Sequence, residues 1–143
     1  MNVETKKSKK CCFLGGTCGD SNWRNVLIPM LEIEYFNPVV EDWTEECMAE
    51  EIEQRKTCDF VLYVISPFMQ GVYSIAEVVD DSNKRPEKTV FCVLRNERIG
   101  VNFSTFTKGE MKSLDAVKKM VKENKATVCE NLEEIAEYFN GSK

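Results

Sequence analysis

Residues 59–82 read DFVLYVISPFMQGVYSIAEVVDDS, and the fold is decided here. Asp59 to Ile65 is an almost continuous apolar run rich in β-branched and aromatic residues, as expected of a parallel strand covered on both faces at the centre of a sheet. Pro67 cannot extend the ladder, and Gly71 frees the backbone for a sharp loop. Ser74 followed three residues later by Glu77 matches a capping box, so a helix is predicted to start near Ser74. In open α/β sheets ligands bind outside the carboxyl ends of the strands, which is where this loop and first helical turn belong. Two readings of Glu77 stay open at this point: a capping residue that bonds back to Ser74, or a catalytic carboxylate.

Outward from this stretch, short apolar runs alternate with amphipathic segments, the pattern of a βα repeat. A first strand is predicted over Lys10 to Gly15, followed by a helix from about Asn22 to Leu31. A second strand at Glu34-Tyr35-Phe36 stops at Asn37-Pro38. The next helix runs from Thr44, its N-cap, to Thr57, with Cys47, Met48 and Ile52 as an apolar stripe and its glutamates as a solvated face. Thr89 to Leu94 is the fourth strand, and Arg95 to Thr107 reads as a polar, irregular lid or subunit-contact loop. A helix over Lys108 to Glu123, a short strand over Ala126 to Cys129 and a last helix capped by Asn131 complete the chain. The expectation is a flavodoxin-like, Rossmann-like doubly wound parallel sheet of five strands in the order 2-1-3-4-5.

At 143 residues the chain is expected to form one domain over 1–143, with 1–9 as a flexible lead-in. A net charge of −5 with both signs interspersed points to a small-molecule ligand rather than to nucleic acid or a membrane surface. The seven cysteines are an odd number, and Cys12, Cys58 and Cys92 fall in predicted core strands, which fits a reduced, cytoplasmic protein. Neither a signal peptide nor a transmembrane helix is expected, and the run Lys6 to Lys10 reads as a solvated lead-in. Cys11, Cys12 and Cys18 cluster without a C-x-x-C pair, so no metal and no cofactor is implied. The chain has no histidine, which removes Ser-His-Asp and Cys-His catalysis and leaves acid-base work to carboxylates, Tyr, Cys or Lys.

Three loops are expected to converge at the carboxyl edge: Gly15 to Arg24, Asn37 to Trp43, and Ser66 to Glu77. The first, Gly15-Gly16-Thr17-Cys18-Gly19-Asp20, has neither the spacing nor the lysine of a nucleoside-triphosphate loop, although its glycines permit close approach to a ligand. Thr17, Asp20 and Ser21 read equally as ligand contacts or as loop and capping residues. Asn37 and Asp42 read as turn and helix-start residues or as ligand contacts, and Trp43 as a hydrophobic staple or a surface on which a nucleobase stacks. Tyr73 is placed to reach a sugar hydroxyl or the carboxylate. One carboxylate poised at an anomeric carbon can cleave a glycosidic bond when the leaving group is a nucleobase held by hydrogen bonds.

Phe13-Leu14-Gly15-Gly16-Thr17, Phe36 to Trp43, Gly71 to Glu77 and Ser82 to Pro86 together resemble the nucleoside 2-deoxyribosyltransferase-like proteins, in their short branch, over nearly the full length. The resemblance implies Glu77 as a nucleophile that forms a deoxyribosyl intermediate resolved by a second base or by water, in a homo-oligomer. The chain departs from the family pattern in two places: Met69-Gln70 stands where an aspartate precedes the glycine of the catalytic turn, and no tyrosine lies near Phe13. Asp42 and Asp20 are the candidates to replace that carboxylate. A weaker similarity links Ser66-Pro67, Ser74 and Glu77 to the NAD-cleaving TIR-type domains. The candidate site is thus Glu77 for catalysis, with Gly15, Gly16, Thr17, Asp20, Trp23, Arg24, Asn37, Asp42, Trp43, Gly71, Tyr73 and Ser74 for a nucleoside or nucleotide, Arg24 meeting any phosphate. A nucleotide-binding module without turnover is the alternative from another class.

Overall fold

The computed structural model describes residues 10–141, so the expected lead-in over 1–9 lies outside the described residues. The strands β1 (Cys11–Gly16), β2 (Glu34–Phe36), β3 (Phe60–Ile65) and β4 (Thr89–Val93) form one parallel sheet with β7 (Thr127–Cys129). The spatial order β2-β1-β3-β4-β7 is the flavodoxin-like order expected, with β3 at the centre. All six residues of β3 are buried, because helices cover both of its faces. Phe60, Leu62 and Val64 pack with Trp23, Leu27, Ile135 and Phe139 on one side. Val61, Tyr63 and Ile65 pack with Val78, Met111 and Leu114 on the other. The period-2 alternation of a strand thus sorts one apolar run into two cores.

Helix α1 (Trp23–Leu27) is shorter than expected and passes into a 3₁₀ turn over Ile28–Met30. Pro29 is the reason, since its ring and missing amide do not fit a regular helix interior. Helix α2 (Glu45–Thr57) is capped by Thr44, whose side chain accepts from the Cys47 amide. Its expected apolar stripe does not enter the core: α2 has no buried residue, and Met48 and Ile52 are each 46% exposed. Helix α3 (Tyr73–Lys84) starts two residues earlier than a Ser74 cap requires, with Val72 at the N-cap and no side-chain cap bond. The Ser74–Glu77 capping box therefore does not form, and Gly71 is not in left-handed backbone. The helices α4 (Lys108–Glu123) and α5 (Leu132–Asn140) follow expectation, and it is Thr107 with Glu110 that builds the capping box.

The segment expected to be irregular holds an antiparallel hairpin, β5 (Asn96–Ile99) with β6 (Asn102–Thr105). Glu97 fastens it to the rest of the molecule, accepting hydrogen bonds from Ser21 Oγ at 2.8 Å, the Asn22 amide at 2.8 Å and Ser66 Oγ. Cys58 is buried as expected, but it closes α2 instead of lying in a strand. Among the described residues no helix is long and apolar enough to cross a membrane.

Candidate active site

The carboxyl ends of β1 and β3 lie side by side, with Gly15 opposite Tyr63 and Gly16 opposite Val64. Gly16 has φ +118°, and a Cβ there would lie 2.2 Å from the Val64 carbonyl oxygen. Only glycine fits that contact with that backbone. Thr17 then turns the chain: its amide donates to Val64 O at 2.8 Å, and its buried hydroxyl accepts from the Ser66 amide at 3.0 Å. The loops after β1 and β3 are thereby joined at their roots.

A cleft of about 410 Å³ opens above this junction, floored by Phe13, Gly15 and Gly16 and bordered by Trp43, Glu51 and Glu77. A neighbouring recess of about 250 Å³ lies between Thr17 and the Met69–Ser74 turn, with Gly71, Tyr73 and Ser74 in its wall. The three expected loops do converge, since each sends residues to the larger cleft: Gly15, Gly16 and Arg24 from the first, Val39 and Trp43 from the second, Ser74 and Glu77 from the third. Its volume is in the range of small-molecule sites.

Glu77, the fifth residue of α3, borders the cleft, with its side chain 11% exposed. Freed from capping, it pairs through Oε2 with Nη1 of Arg55 at 3.4 Å. Burial pushes its carboxyl up, Arg55 pulls it down, and Glu51 and Asp81 push it up again, with a net position of about 7. Glu51, one turn before Arg55 on α2, is also raised, by burial against the pull of Arg55 and Arg24. A desolvated carboxylate held near neutrality beside a second one is an arrangement met at acid-base and nucleophilic centres.

The remaining sequence candidates divide. Gly15, Gly16, Arg24, Trp43 and Ser74 line the larger cleft, and Thr17, Gly71 and Tyr73 line the smaller recess, with Tyr73 73% exposed. Arg24 does not present a free cation: Nε and Nη2 donate to Leu14 O at 3.1 and 2.9 Å, Nη1 donates to Thr17 O at 2.7 Å, and the guanidinium stacks on Trp23. Those bonds brace the end of β1 from below. Trp23 is buried in the core with Nε1 on Thr17 O at 2.9 Å, and it lines neither cleft. Asn37 closes a local turn onto the Val39 amide at 3.1 Å and borders a third, smaller recess. Asp20 and Asp42 are exposed and line neither cleft, so the second carboxylate of the site is Glu51. Cys18 reaches the cleft, separated from Cys11 and Cys12 by the length of β1.

Glu51, Arg55 and Asp81 were not singled out by sequence. Their spacing held the signal: Glu51 and Arg55, like Glu77 and Asp81, are four residues apart and so share a helix face. A run of glutamates on α2 nevertheless reads as solvated until α3 is placed against it.

Fold and site together define a doubly wound α/β protein with two carboxylates in a cleft at the carboxyl edge of its sheet. Residues 9–96 match the family model described as "Nucleoside 2-deoxyribosyltransferase like", a span that takes in β1 through β4 and both glutamates. The chain belongs to that family. Among curated proteins no match is found.

Proposed function

We propose that the chain breaks the N-glycosidic bond of a nucleoside or nucleotide and passes the sugar to a second base or to water. The observation that supports this most directly is the pair Glu77 and Glu51, both raised by burial, in one cleft. Glu77, as carboxylate, attacks the anomeric carbon. The bond from that carbon to the base nitrogen breaks, its electron pair leaves with the base, and the base takes a proton from solvent relayed through the neighbouring Glu51 carboxyl. The ester on Glu77 is then opened by water or by a second base, and the released proton returns by the same route. Trp43, 54% exposed at the cleft mouth, offers a stacking face for the base. The glycine backbone of the first loop lets the sugar approach the floor. Val39, Val40 and Trp43 leave exposed apolar surface at the cleft, and Met48 and Ile52 do so on α2, which supports the homo-oligomer implied by the family resemblance.

The test incubates the protein with deoxynucleosides and their monophosphates, with and without a second base, and follows free base by chromatography. Base release by the wild type is expected, with Glu77→Gln reducing turnover beyond detection and Glu51→Gln reducing it roughly 10²–10⁴-fold. Undiminished turnover by Glu77→Gln refutes the mechanism. An NAD arm separates the TIR-like alternative, which releases nicotinamide, and saturable binding without product identifies a non-catalytic module.

A further inference from the structure

Asp81 lies one turn beyond Glu77 on α3, with its side chain fully buried, and four donor groups surround its two oxygens. Oδ1 accepts from Arg55 Nη2 at 3.1 Å and from Arg85 Nη1 at 2.8 Å. Oδ2 accepts from Tyr63 Oη at 2.6 Å and from Arg55 Nε at 3.4 Å. Arg55 thus meets Asp81 along one edge through two different nitrogens, which fixes the plane of the guanidinium. Its remaining nitrogen, Nη1, is the one that meets Glu77 Oε2 at 3.4 Å. Two guanidinium groups, those of Arg55 and Arg85, thus meet one buried carboxylate.

We propose that Asp81 is a positioning residue: it holds the Arg55 fork so that Nη1 meets the reacting carboxylate, Glu77. The inference deepens the reading of Glu77 as the nucleophile and rests on it. No substrate contact is assigned to Asp81, which is sealed beneath α3 and acts only through Arg55.

The charged and titratable groups facing Glu77 are Glu51 and Arg55 from α2, Asp81 from α3 and Tyr63 from β3, while Arg24 acts on Glu51 from α1. Asp80 and Tyr73 border the shallow recess beside Glu77, with Asp80 tied to Lys84 at 3.0 Å. Asp81 has two opposed effects within this set. Its own negative charge makes Glu77 harder to ionise. Its grip on Arg55 makes Glu77 easier to ionise, because an oriented cation favours the carboxylate. Asp81→Asn therefore moves the Glu77 titration in opposite directions under the two roles: upward if anchoring dominates, downward if Asp81 is only a neighbouring charge.

The experiment is a titration of the full chain labelled with ¹³C at the glutamate side-chain carboxyl, the Glu77 resonance being assigned by its loss in Glu77→Gln. The expected result is a Glu77 midpoint in Asp81→Asn higher by about one pH unit. A midpoint that falls or stays in place, in a folded variant, overturns the proposal. Arg55→Lys, at a side chain 17% exposed, keeps the charge but not the fork, and covers the case in which Asp81→Asn does not fold. Its midpoint is expected to move the same way, and an unmoved midpoint there also overturns the proposal. In the Arg55→Lys background Asp81→Asn should add no further upward shift, as two residues acting through one contact are not additive. The titration needs no turnover: a shifted midpoint with no base released in any variant would sink the glycosidic reading and leave the positioning role standing.

Discussion

Glu77→Gln replaces a carboxyl group that folding makes harder to ionise with a neutral side chain of the same shape. The group moves from 4.5 to about 7 in the folded protein, chiefly through burial. Between those values the native state keeps a proton that the unfolded chain has released, so stability falls as pH rises through the window and the whole penalty is present above it. A displacement of that size corresponds to roughly 3 kcal/mol, and the side chain is only 11% exposed, so solvent screens little of it. The variant has no proton to lose there. Urea unfolding across a pH series, followed by the fluorescence of Trp23 and Trp43, measures the difference. Relative to wild type, the variant should gain about 2–3 kcal/mol of stability between pH 4 and pH 8, while losing base release entirely. A stability difference that is the same at both ends, or that grows in favour of the wild type at high pH, would show that Glu77 is not desolvated as described. The gain would also show what a desolvated carboxylate at this position costs the fold.

Other perturbations test the frame around the site. Gly16→Ala drives a Cβ to 2.2 Å from Val64 O in left-handed backbone and should cost about 3 kcal/mol or abolish soluble expression, whereas Gly71→Ala, with no atom within 4 Å, should change the urea midpoint little. A Gly16→Ala protein of wild-type stability would refute the close approach of β1 to β3. Glu97→Ala removes the acceptor shared by Ser21, Asn22 and Ser66 and should cost about 1–3 kcal/mol. It should also speed hydrogen exchange at the Asn22 amide, and unchanged exchange would mean that the hairpin is not anchored through Glu97.

The strands and their order were legible because they depend on local pattern. An apolar run such as Phe60–Ile65 is long enough for a strand and too continuous for a half-exposed one, and short connections with right-handed crossovers leave few topologies. Glu77 was legible for the same reason, since a residue just after the central strand must lie at the carboxyl edge. The capping box expected of it does not form because Ser-x-x-Glu spacing is also compatible with a helix that starts two residues earlier, and backbone geometry chose Tyr73 as the first residue. The hairpin was missed because its strands are polar, and Glu97 anchors them through partners 76 and 31 residues away in sequence.

By itself the sequence determined the sheet, the order of its strands, and the stretch that brings a glutamate to its edge. Only the tertiary structure decided which carboxylates are chemically distinct. The chain has 24 acidic residues, and the four-residue spacing of Glu51 with Arg55 reads locally like any solvated helix pair, as does that of Asp81 with Arg85 next to Asp80 with Lys84. What separates them is desolvation and the company of Arg55, Arg85 and Tyr63, supplied by segments that meet only when α2 and α3 pack beside β3. Charges are tuned by what surrounds them in space, and those surroundings come from distant parts of the chain.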